Sequence, residues 1–318
     1  MIEVDYDTHP DLYFDFRKTL KYLSEIDDKD YDYPDEITPF HVYTEVRTDK
    51  ELECIKSYLA TQNLKKTKLI VWSDYSIEDN PLIQPYKEYI DLRVYSPHEI
   101  AKETPLEGLD TYLTPNEDNN HWMNSGILRF LVLYKFGGIY ADQDMVLLRD
   151  FKPILQQDFA YQWGSSVDFA KQYPNSGDCH GPCAAMLGAK KGGKYIENCI
   201  QTLIRTPVDP GTTCFDEDML GKVYRIDPDG FTVFPSPFFN TEWLISKVDP
   251  SLRTNIIDSW FVNNGYSKDN LFLESFAWHW HNSNNKTKVV EKGSKFDILR
   301  DITNDRFTCI NSSKLIKH

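Results

Sequence analysis

The sequence predicts an α/β fold in which a Rossmann-like mixed sheet is flanked by helices. Residues 37–74 have the pattern of a strand, a helix and a second strand, which is the order of a right-handed βαβ unit. Residues 69–72 are apolar throughout, as expected of a strand in a sheet that is covered on both faces. A helix, a glycine pair and a short apolar strand follow over residues 124–148.

Three segments are expected along the chain. Residues 1–36 are rich in Asp and Tyr and contain a helical pattern over about residues 11–26, which predicts an N-terminal helical addition. Residues 37–290 are expected to form a single main domain, whose pattern becomes less regular after residue 150. Residues 291–318 mix Lys with polar residues and predict a C-terminal helix or tail.

The elements of the main domain are predicted from apolar spacing and turn residues. The first are a strand over 37–43, a helix over 49–62 and a strand over 68–74. After residue 150 we expect strands over 159–163 and 181–189, helices over 195–205 and 212–220, and a strand with a turn over 231–239. Thr212 or Thr213 can cap the second of these helices.

The helix before the glycine pair is defined by one apolar stripe. Its positions i, i+3, i+4 and i+7 are occupied by Ile127, Phe130, Leu131 and Tyr134. Asn119 or Asn120 can cap its start, and Gly137 is expected to end it in the left-handed conformation that glycine adopts readily. Short strands are then predicted over residues 139–141 and 145–148.

Asp142 and Asp144 interrupt these two strand pieces. Two carboxylates at this spacing are acceptor-only oxygen ligands that can hold a hard divalent cation. Ligands gather where the strands of α/β sheets end, so the position also favours a site. The alternative is a solvated turn, because Asp-x-Asp recurs by chance in a chain with 49 acidic residues. The helix, the Gly-Gly pair and the Ile-Tyr strand before it favour the functional interpretation.

A second candidate site lies at residues 275–283, where two histidines and two tryptophans alternate. Strand geometry would place His279 and His281 on one face and Trp278 and Trp280 on the other. The residues alone leave two interpretations open. The stretch is either a metal or aromatic-box site, or an edge strand whose imidazoles bond backbone groups.

The composition disfavours several classes of function. A net charge of −14 argues against nucleic acid and an anionic membrane surface as main partners. An acidic protein that binds a phosphorylated ligand needs a local cation to offset the repulsion, which fits the two aspartates. The sequence has no apolar run of about 18 residues and predicts no transmembrane segment. Its acidic N-terminus lacks signal-peptide features, so we expect a cytoplasmic protein, with a trimmed secretory-pathway protein as the alternative.

Residues 125–144 resemble the Asp-x-Asp (DXD) sugar transferases, which include α1,4-galactosyltransferases and initiating α1,6-mannosyltransferases, and more distantly the clostridial glucosylating toxins. The family pattern is Ser-Asp-x-x-Arg-aromatic, followed by Leu-Tyr-x-x-Gly-Gly-Ile-Tyr-x-Asp-x-Asp. Here it stands as Ser-Gly-Ile-Leu-Arg-Phe and Leu-Tyr-Lys-Phe-Gly-Gly-Ile-Tyr-Ala-Asp-Gln-Asp. One position departs: Gly126 replaces an aspartate that binds hydroxyls of the donor sugar in the family.

This resemblance implies a GT-A type fold and a metal-dependent, retaining glycosyltransferase. Such an enzyme would move a hexose from a nucleotide-sugar, with UDP favoured, to a hydroxyl of a glycan, glycolipid or glycoprotein. Residues 37–150 would form the nucleotide-sugar and metal half, and residues 151–290 the acceptor half. The cofactor would be Mn²⁺, although a site of two aspartates also admits Mg²⁺.

The resemblance also implies the residues of the metal site. Asp144 would bind the metal directly, and Asp142 would contact the metal and the ribose. The string Ala-Trp-His-Trp-His-Asn over residues 277–282 is similar to a late family motif that closes the metal and diphosphate site. His279 would then be a metal ligand and Asn282 would lie beside the diphosphate. A neutral imidazole favours manganese in such a shell.

Further family positions concern the donor. Arg129 and Tyr140 match positions near the donor sugar and phosphate, and the alternative for Arg129 is an ion pair on the helix surface. Thr44 and Glu45 follow the first strand where relatives receive the nucleotide base. The alternative for them is a loop that leads to the helix cap.

The acceptor side and the mechanism are less defined. The triplet Asp216-Glu217-Asp218 is the best candidate for acidic assistance near the acceptor, with Glu217 and Asp218 as the catalytic candidates and helix-start acids as the alternative. Front-face substitution and double displacement both stay open. Because of Gly126, a non-catalytic relative that binds a nucleotide-sugar or glycan is an alternative function. A metal-dependent hydrolase would need a second acidic cluster, which the Gly-Gly-Ile-Tyr context does not suggest.

Overall fold

The computed structural model describes residues 1–113, 121–163, 181–206, 215–240, 260–267 and 271–312. The strands in these ranges are Thr38–Tyr43 (β1), Thr67–Ser73 (β2), Asp91–Val94 (β3), Gly138–Asp142 (β4), Met145–Leu147 (β5), Phe159–Tyr161 (β6), Cys183–Ala189 (β7), Thr232–Phe234 (β8) and Ala277–His279 (β9). The α-helices there are Phe16–Glu25 (α1), Asp49–Thr61 (α2), Pro97–Ala101 (α3), Asp110–Leu113 (α4), His121–Phe136 (α5), Lys194–Arg205 (α6), Phe215–Ile226 (α7), Asn282–Asn285 (α8) and Lys295–Ser312 (α9).

Seven strands form one mixed sheet in the order β3-β2-β1-β4-β7-β6-β8. All neighbours are parallel except β7, which runs antiparallel to β4 and β6. Leu69 and Val71 of β2 pack into a hydrophobic cluster that includes α2. Ile70 and Trp72 pack into another that includes α5, α6 and α7. The predicted fold class, a mixed α/β sheet covered by helices on both faces, is therefore confirmed.

The predicted βαβ unit is present. β1 pairs in parallel with β2 along its whole length, with Phe40 opposite Leu69. The connecting helix α2 begins after Thr48, whose side chain accepts a hydrogen bond from the backbone N–H of Glu51. These bounds differ from the predicted ones by one residue or so, because the apolar spacing and the threonine cap are local signals.

Gly137 ends α5 in the left-handed region, with φ 69°, as predicted. Gly138 follows with φ 92°, and a Cβ there would lie 2.0 Å from the carbonyl oxygen of Pro39. Only glycine therefore lets β4 approach β1 this closely. The proposed caps Asn119 and Asn120 lie outside the described residues.

The chain leaves the central sheet between Asp142 and Met145. β4 ends at Asp142 in the seven-stranded sheet, whereas β5 pairs antiparallel with β9 in a separate two-stranded sheet. In this pairing Met145 lies opposite His279. The two sequence motifs, about 135 residues apart, are therefore brought together by a sheet that the local pattern does not reveal.

The N-terminal helical prediction is resolved into two pieces, a 3-10 turn at Pro10–Tyr13 and α1. Asp15 separates them, because its side chain accepts the backbone N–H groups of Arg17 and Lys18 as a helix cap. Apolar residues from this segment lie in the same cluster as β1: Ile2, Val4, Leu12, Tyr13 and Leu23. The domain boundary at residue 37 stays a prediction.

The later elements follow the predicted order. β6, β7 and β8 lie within the expected ranges, α6 begins one residue before its predicted start, and α7 continues beyond its predicted end to Ile226. Thr212 and Thr213, the proposed caps of α7, are outside the described part of the chain. The predicted C-terminal helix is α9, which packs against α2. No helix among the described residues combines the length and apolar content needed to span a bilayer.

Candidate active site

Asp142 and Asp144 lie where the chain passes from the seven-stranded sheet into the two-stranded sheet. Asp142 is the last residue of β4 and is aligned with Tyr43 at the end of β1. Asp144 follows two residues later, and its side chain is 11% exposed, against 26% for the side chain of Asp142. The predicted position at the carboxyl end of a strand is therefore where the structure places the pair.

Asp144 is held by the residues around β9. One carboxylate oxygen lies 3.3 Å from Nε2 of His279, and the other accepts the backbone N–H of Asn282 at 2.6 Å. Burial on its own would raise the pKa of Asp144, but His279 and Asn282 outweigh it and lower the pKa to about 2. The carboxylate is therefore ionised over the whole physiological range.

His279 is oriented from both ring nitrogens. Its Nδ1 lies 3.1 Å from the hydroxyl of Tyr161, and its Nε2 points to Asp144. His279 thus bonds side chains, which excludes the interpretation as an edge strand whose imidazoles bond the backbone.

The predicted strand through His281 is wrong, because the chain turns left-handed there with φ 53° and β9 ends at His279. The two imidazoles nevertheless stack, with ring centroids 3.9 Å apart. Nε2 of His281 lies 3.1 Å from the amide nitrogen of Asn240, and burial lowers the pKa of His281 well below its usual value. His281 is therefore a neutral ring that supports His279 from the side.

The side-chain oxygen of Asn282 is buried and has no hydrogen-bond partner among the described residues. A buried amide oxygen without a donor is costly, so this atom is suited to an incoming ligand. Asp142, Asp144, His279 and Asn282 carry oxygen and imidazole groups, which are donor types that a divalent cation accepts. Within the described ranges, however, no group of three or more His, Cys, Asp or Glu side chains is arranged as a metal site. Phosphate or water would have to complete such a shell.

Arg129 lies beneath Asp142 rather than on the helix surface. It is 5% exposed, its Nη2 lies 3.0 Å from Asp142, and its Nη1 lies 2.8 Å from Asp216. Nη1 also donates to the carbonyl oxygen of Ala184 at 2.7 Å, and the guanidinium stacks over the buried ring of Tyr140 at 4.8 Å. The surface ion pair proposed as the alternative for Arg129 is therefore wrong.

The different surroundings of Asp142 and Asp144 explain why their pKa values differ. Burial raises the pKa of Asp142 to about 6, with Arg129 opposing the shift and Asp144 adding to it. Asp142 therefore holds a proton more readily than Asp144 does. A divalent cation between them would favour the ionised form of both.

The acidic triplet at the start of α7 contributes Asp216 to the contacts of Arg129. Asp218 is half-exposed and pairs with Lys222 at 2.5 Å, and its proposed role near the acceptor stays a prediction. Burial, reinforced by Asp216, raises the pKa of Glu217 to about 8. Glu217 is thus a largely protonated acid at neutral pH, and its proposed role near the acceptor stays a prediction.

Thr44 and Glu45 form a tightly bonded loop after β1. The Thr44 hydroxyl accepts the backbone N–H of Val46 at 3.0 Å, and the Glu45 side chain pairs with Arg47. Asn80 donates to the carbonyl oxygen of Val46 at 2.8 Å. The loop adjoins Asp142 through the register of β1 and β4, but its proposed role in binding the base stays a prediction.

Comparison with known proteins gives one family match. The family described as glycosyltransferase sugar-binding region containing the DXD motif matches residues 48–160. The match includes Arg129, Asp142 and Asp144 and excludes Asp216 and His279. It confirms the resemblance to the DXD sugar transferases and supports a glycosyltransferase. No curated protein matches this chain.

Several solved glycosyltransferase structures are similar to this chain. The PaToxG glycosyltransferase has 11% identity and a TM-score of 0.42, with 97% of each chain covered. The glycosyltransferase GlyE of Streptococcus pneumoniae TIGR4 has 12% identity and a TM-score of 0.49, with 88% of this chain and 64% of that chain covered. The WbbM bifunctional glycosyltransferase has 11% identity and a TM-score of 0.46, with coverage of 86% and 50%.

Proposed function

We propose that this protein is a metal-dependent, retaining glycosyltransferase that moves a hexose from a nucleotide-sugar to a hydroxyl of a glycan, glycolipid or glycoprotein. The family match over residues 48–160 supports the reaction class. The observation that carries the proposal is the meeting of Asp144 with His279, 3.3 Å apart, beside Asp142 at the end of β4. These residues belong to separate sequence motifs, and the pairing of β5 with β9 brings them together.

The cation would be held by Asp144 and Asp142, with His279 as a further donor, and the Asn282 side chain would lie beside the diphosphate. A divalent cation bound there would neutralise the charge that develops on the leaving diphosphate. Imidazole among carboxylate ligands favours Mn²⁺, and Mg²⁺ also fits the oxygen donors.

The protein residues would act mainly by orientation. The backbone N–H of Asn282 and the ring of His279 fix the carboxylate of Asp144, and Arg129 fixes that of Asp142. Because these contacts are buried, the carboxylates need little reorganisation when the donor arrives. The Thr44–Glu45 loop lies one strand away and is our candidate for the nucleotide base, with UDP favoured by the family resemblance.

Glu217 is our candidate for proton transfer near the acceptor. Its raised pKa, caused by burial first and by Asp216 second, gives it a proton to share at neutral pH. Retention of configuration is proposed from the family resemblance, and both front-face substitution and double displacement are compatible with this arrangement of residues.

A panel of UDP- and GDP-sugars with Mn²⁺ tests the proposal through two readouts. Thermal shift should show stabilisation by a nucleotide that depends on metal, and one sugar nucleotide should release free nucleotide faster with enzyme than without. Metal-dependent binding without release would identify a non-catalytic relative, the alternative that Gly126 motivates. Stabilisation by no nucleotide, with or without metal, would refute both functions.

A further inference from the structure

Position 126 on α5 lies against the first turn of α7. A Cβ built on Gly126 would be 2.4 Å from Cζ and 2.6 Å from Cε1 of Phe215, distances that real Cβ atoms do not show. The same Cβ would be 3.5 Å from a carboxylate oxygen of Asp216. Any side chain at 126 would therefore enter space that Phe215 and Asp216 now occupy, and glycine allows α7 to approach.

The approach brings a carboxylate to Arg129 from a distant part of the chain. Oδ2 of Asp216 lies 2.8 Å from Nη1 of Arg129, and Oδ1 accepts the backbone N–H of Glu217 at 2.9 Å. Asp216 and Arg129 are 7% and 5% exposed. The ion pair is therefore shielded from water, and each partner would be costly to leave unpaired.

Arg129 connects the carboxylate of Asp216 to that of Asp142, one of the proposed metal ligands. Nη1 is occupied by Asp216 and by the carbonyl oxygen of Ala184, so Arg129 meets Asp142 through Nη2, at one oxygen. A guanidinium without Asp216 would be free to turn both nitrogens towards Asp142 in a bidentate pair. The one-point contact holds the Asp142 carboxylate in place and leaves it able to bind a second ligand.

We propose that Asp216 is a positioning residue for Asp142: its carboxylate, admitted beside Gly126, anchors Arg129, and Arg129 orients Asp142 towards the cation. The cation in this inference rests on the proposed function, whereas the contacts of Arg129 with Asp216 and Asp142 are observed in the structure. It also explains how this chain carries glycine in a motif where the family carries an acid. The carboxylate at that place comes from α7 rather than from α5.

Asp216→Asn and Asp216→Glu test the proposal in the full chain, with Asp297→Asn as the matched control. Asp297 is also a buried acid in the first turn of a helix and pairs with Arg300, far along the chain. Asp216→Asn should lower nucleotide release by about tenfold to a hundredfold, the value of one hydrogen bond to a charged group. Asp216→Glu should recover much of the activity, and Asp297→Asn should leave release unchanged.

Crystal structures of wild type and Asp216→Asn supply a readout that needs no turnover. In the variant we expect Nη2 of Arg129 to move away from Oδ1 of Asp142, or both guanidinium nitrogens to form a bidentate pair with this carboxylate. An unchanged geometry between the two side chains would overturn the proposal, whatever the activity. If no sugar nucleotide is turned over by wild type, the proposed function fails and this structural comparison still decides the role of Asp216.

A relocation variant tests the link to position 126. Phe215→Leu removes the ring atoms that block a side chain there, so Gly126→Asp, Phe215→Leu and Asp216→Asn combined moves the carboxylate from α7 to α5. Compared with Asp216→Asn alone, this variant should recover part of the nucleotide release. It should also restore the contact of Arg129 with Asp142 through a single oxygen. If Asp216→Asn alone folds poorly, the combined variant should fold better. If neither the fold nor this pairing returns, the equivalence of the two positions is wrong.

Discussion

At the scale of single residues, Asp144 gives the most direct test of the proposed site. The Asp144→Asn variant keeps the shape of the side chain but loses the charge that we assign to the cation. Nucleotide release should fall about a hundredfold or more, because stabilisation of the leaving group by metal is worth several kcal/mol. The measurement is release with the best sugar nucleotide across a Mn²⁺ titration. A variant that melts normally and turns over at the wild-type rate would contradict the assignment.

His41 makes a prediction about stability and pH that is independent of the site. Its Nδ1 accepts from the indole of Trp72 and its Nε2 donates to the carbonyl oxygen of Gly137, while burial lowers its pKa to about 3. The unfolded chain takes up a proton near pH 6.5 that the folded chain refuses. Stability from this residue is therefore complete above pH 6.5 and is lost as the pH falls, by about 1.4 kcal/mol per pH unit.

Urea unfolding at pH 7.5, 6 and 5 measures this effect. Glutamine does not titrate, so in His41→Gln the free energy of unfolding should change less with pH, by the contribution of one proton. The variant should nevertheless be less stable than wild type at pH 7.5. Equal slopes for wild type and variant would show that His41 is protonated in the folded state.

At the scale of whole elements, the close approach of β4 to β1 depends on Gly138. Gly138→Ala should destabilise the fold by at least about 2 kcal/mol, because it adds left-handed strain to a clash with Pro39. Gly192→Ala is the control, since Gly192 is also left-handed, with φ 64°, but a Cβ there meets nothing within 4 Å. The urea midpoint should fall further for Gly138→Ala than for Gly192→Ala. Equal losses of stability would mean that the left-handed backbone alone, and not the clash with Pro39, causes the destabilisation.

The segment that carries Asn282 is held by Lys50 of α2. Its Nζ donates to the carbonyl oxygens of Asn285, Lys286 and Lys288 at 2.6, 2.8 and 2.9 Å. Lys50→Met should cost about 1.5–3 kcal/mol and loosen this segment, because it removes a charged donor from buried carbonyls. We expect faster hydrogen exchange over residues 282–288 and weaker Mn²⁺ binding.

Lys56→Met is the control for that experiment, because Lys56 is a buried lysine on the same helix that pairs instead with Glu53. It should lower stability without changing exchange over residues 282–288. Similar exchange in the two variants would show that Lys50 acts on the whole fold and does not specifically hold the loop.

At the scale of the whole molecule, the N-terminal segment tests where the main domain begins. Five of its apolar side chains lie in the cluster of β1, and each stabilises the fold by about 1.5–3 kcal/mol. Together they rival the net stability of about 5–15 kcal/mol that is usual for a domain. A chain of residues 37–318 alone should therefore melt far lower or aggregate.

A cleavable chain provides the control. Asp35 and Glu36 are exposed, so a protease site can be inserted after them and the folded protein cut there. The released N-terminal fragment should stay bound through size-exclusion chromatography. If residues 37–318 melt like the full chain, the segment is the removable addition that its composition suggests.

The sequence by itself determined the α/β fold class, the order of the elements it predicted and the place of Asp142 and Asp144 after a strand. These follow from local causes: apolar periodicity, the threonine cap of α2 and the left-handed glycine after α5. These signals depend only on residues that are close in sequence, so they can be recognised without knowing the tertiary structure. For the same reason the sequence did not show which member of the acidic triplet contacts Arg129.

Only the tertiary structure decided how distant segments meet. It placed β5 in a second sheet with β9, so that His279 reaches Asp144, and it buried Arg129 between Asp142 and Asp216. The contact of Arg129 with Asp216 depends on the rotation of α7 and on how closely it packs beside Gly126 of α5. Such packing is settled by the fit of side chains across elements, which no local spacing encodes.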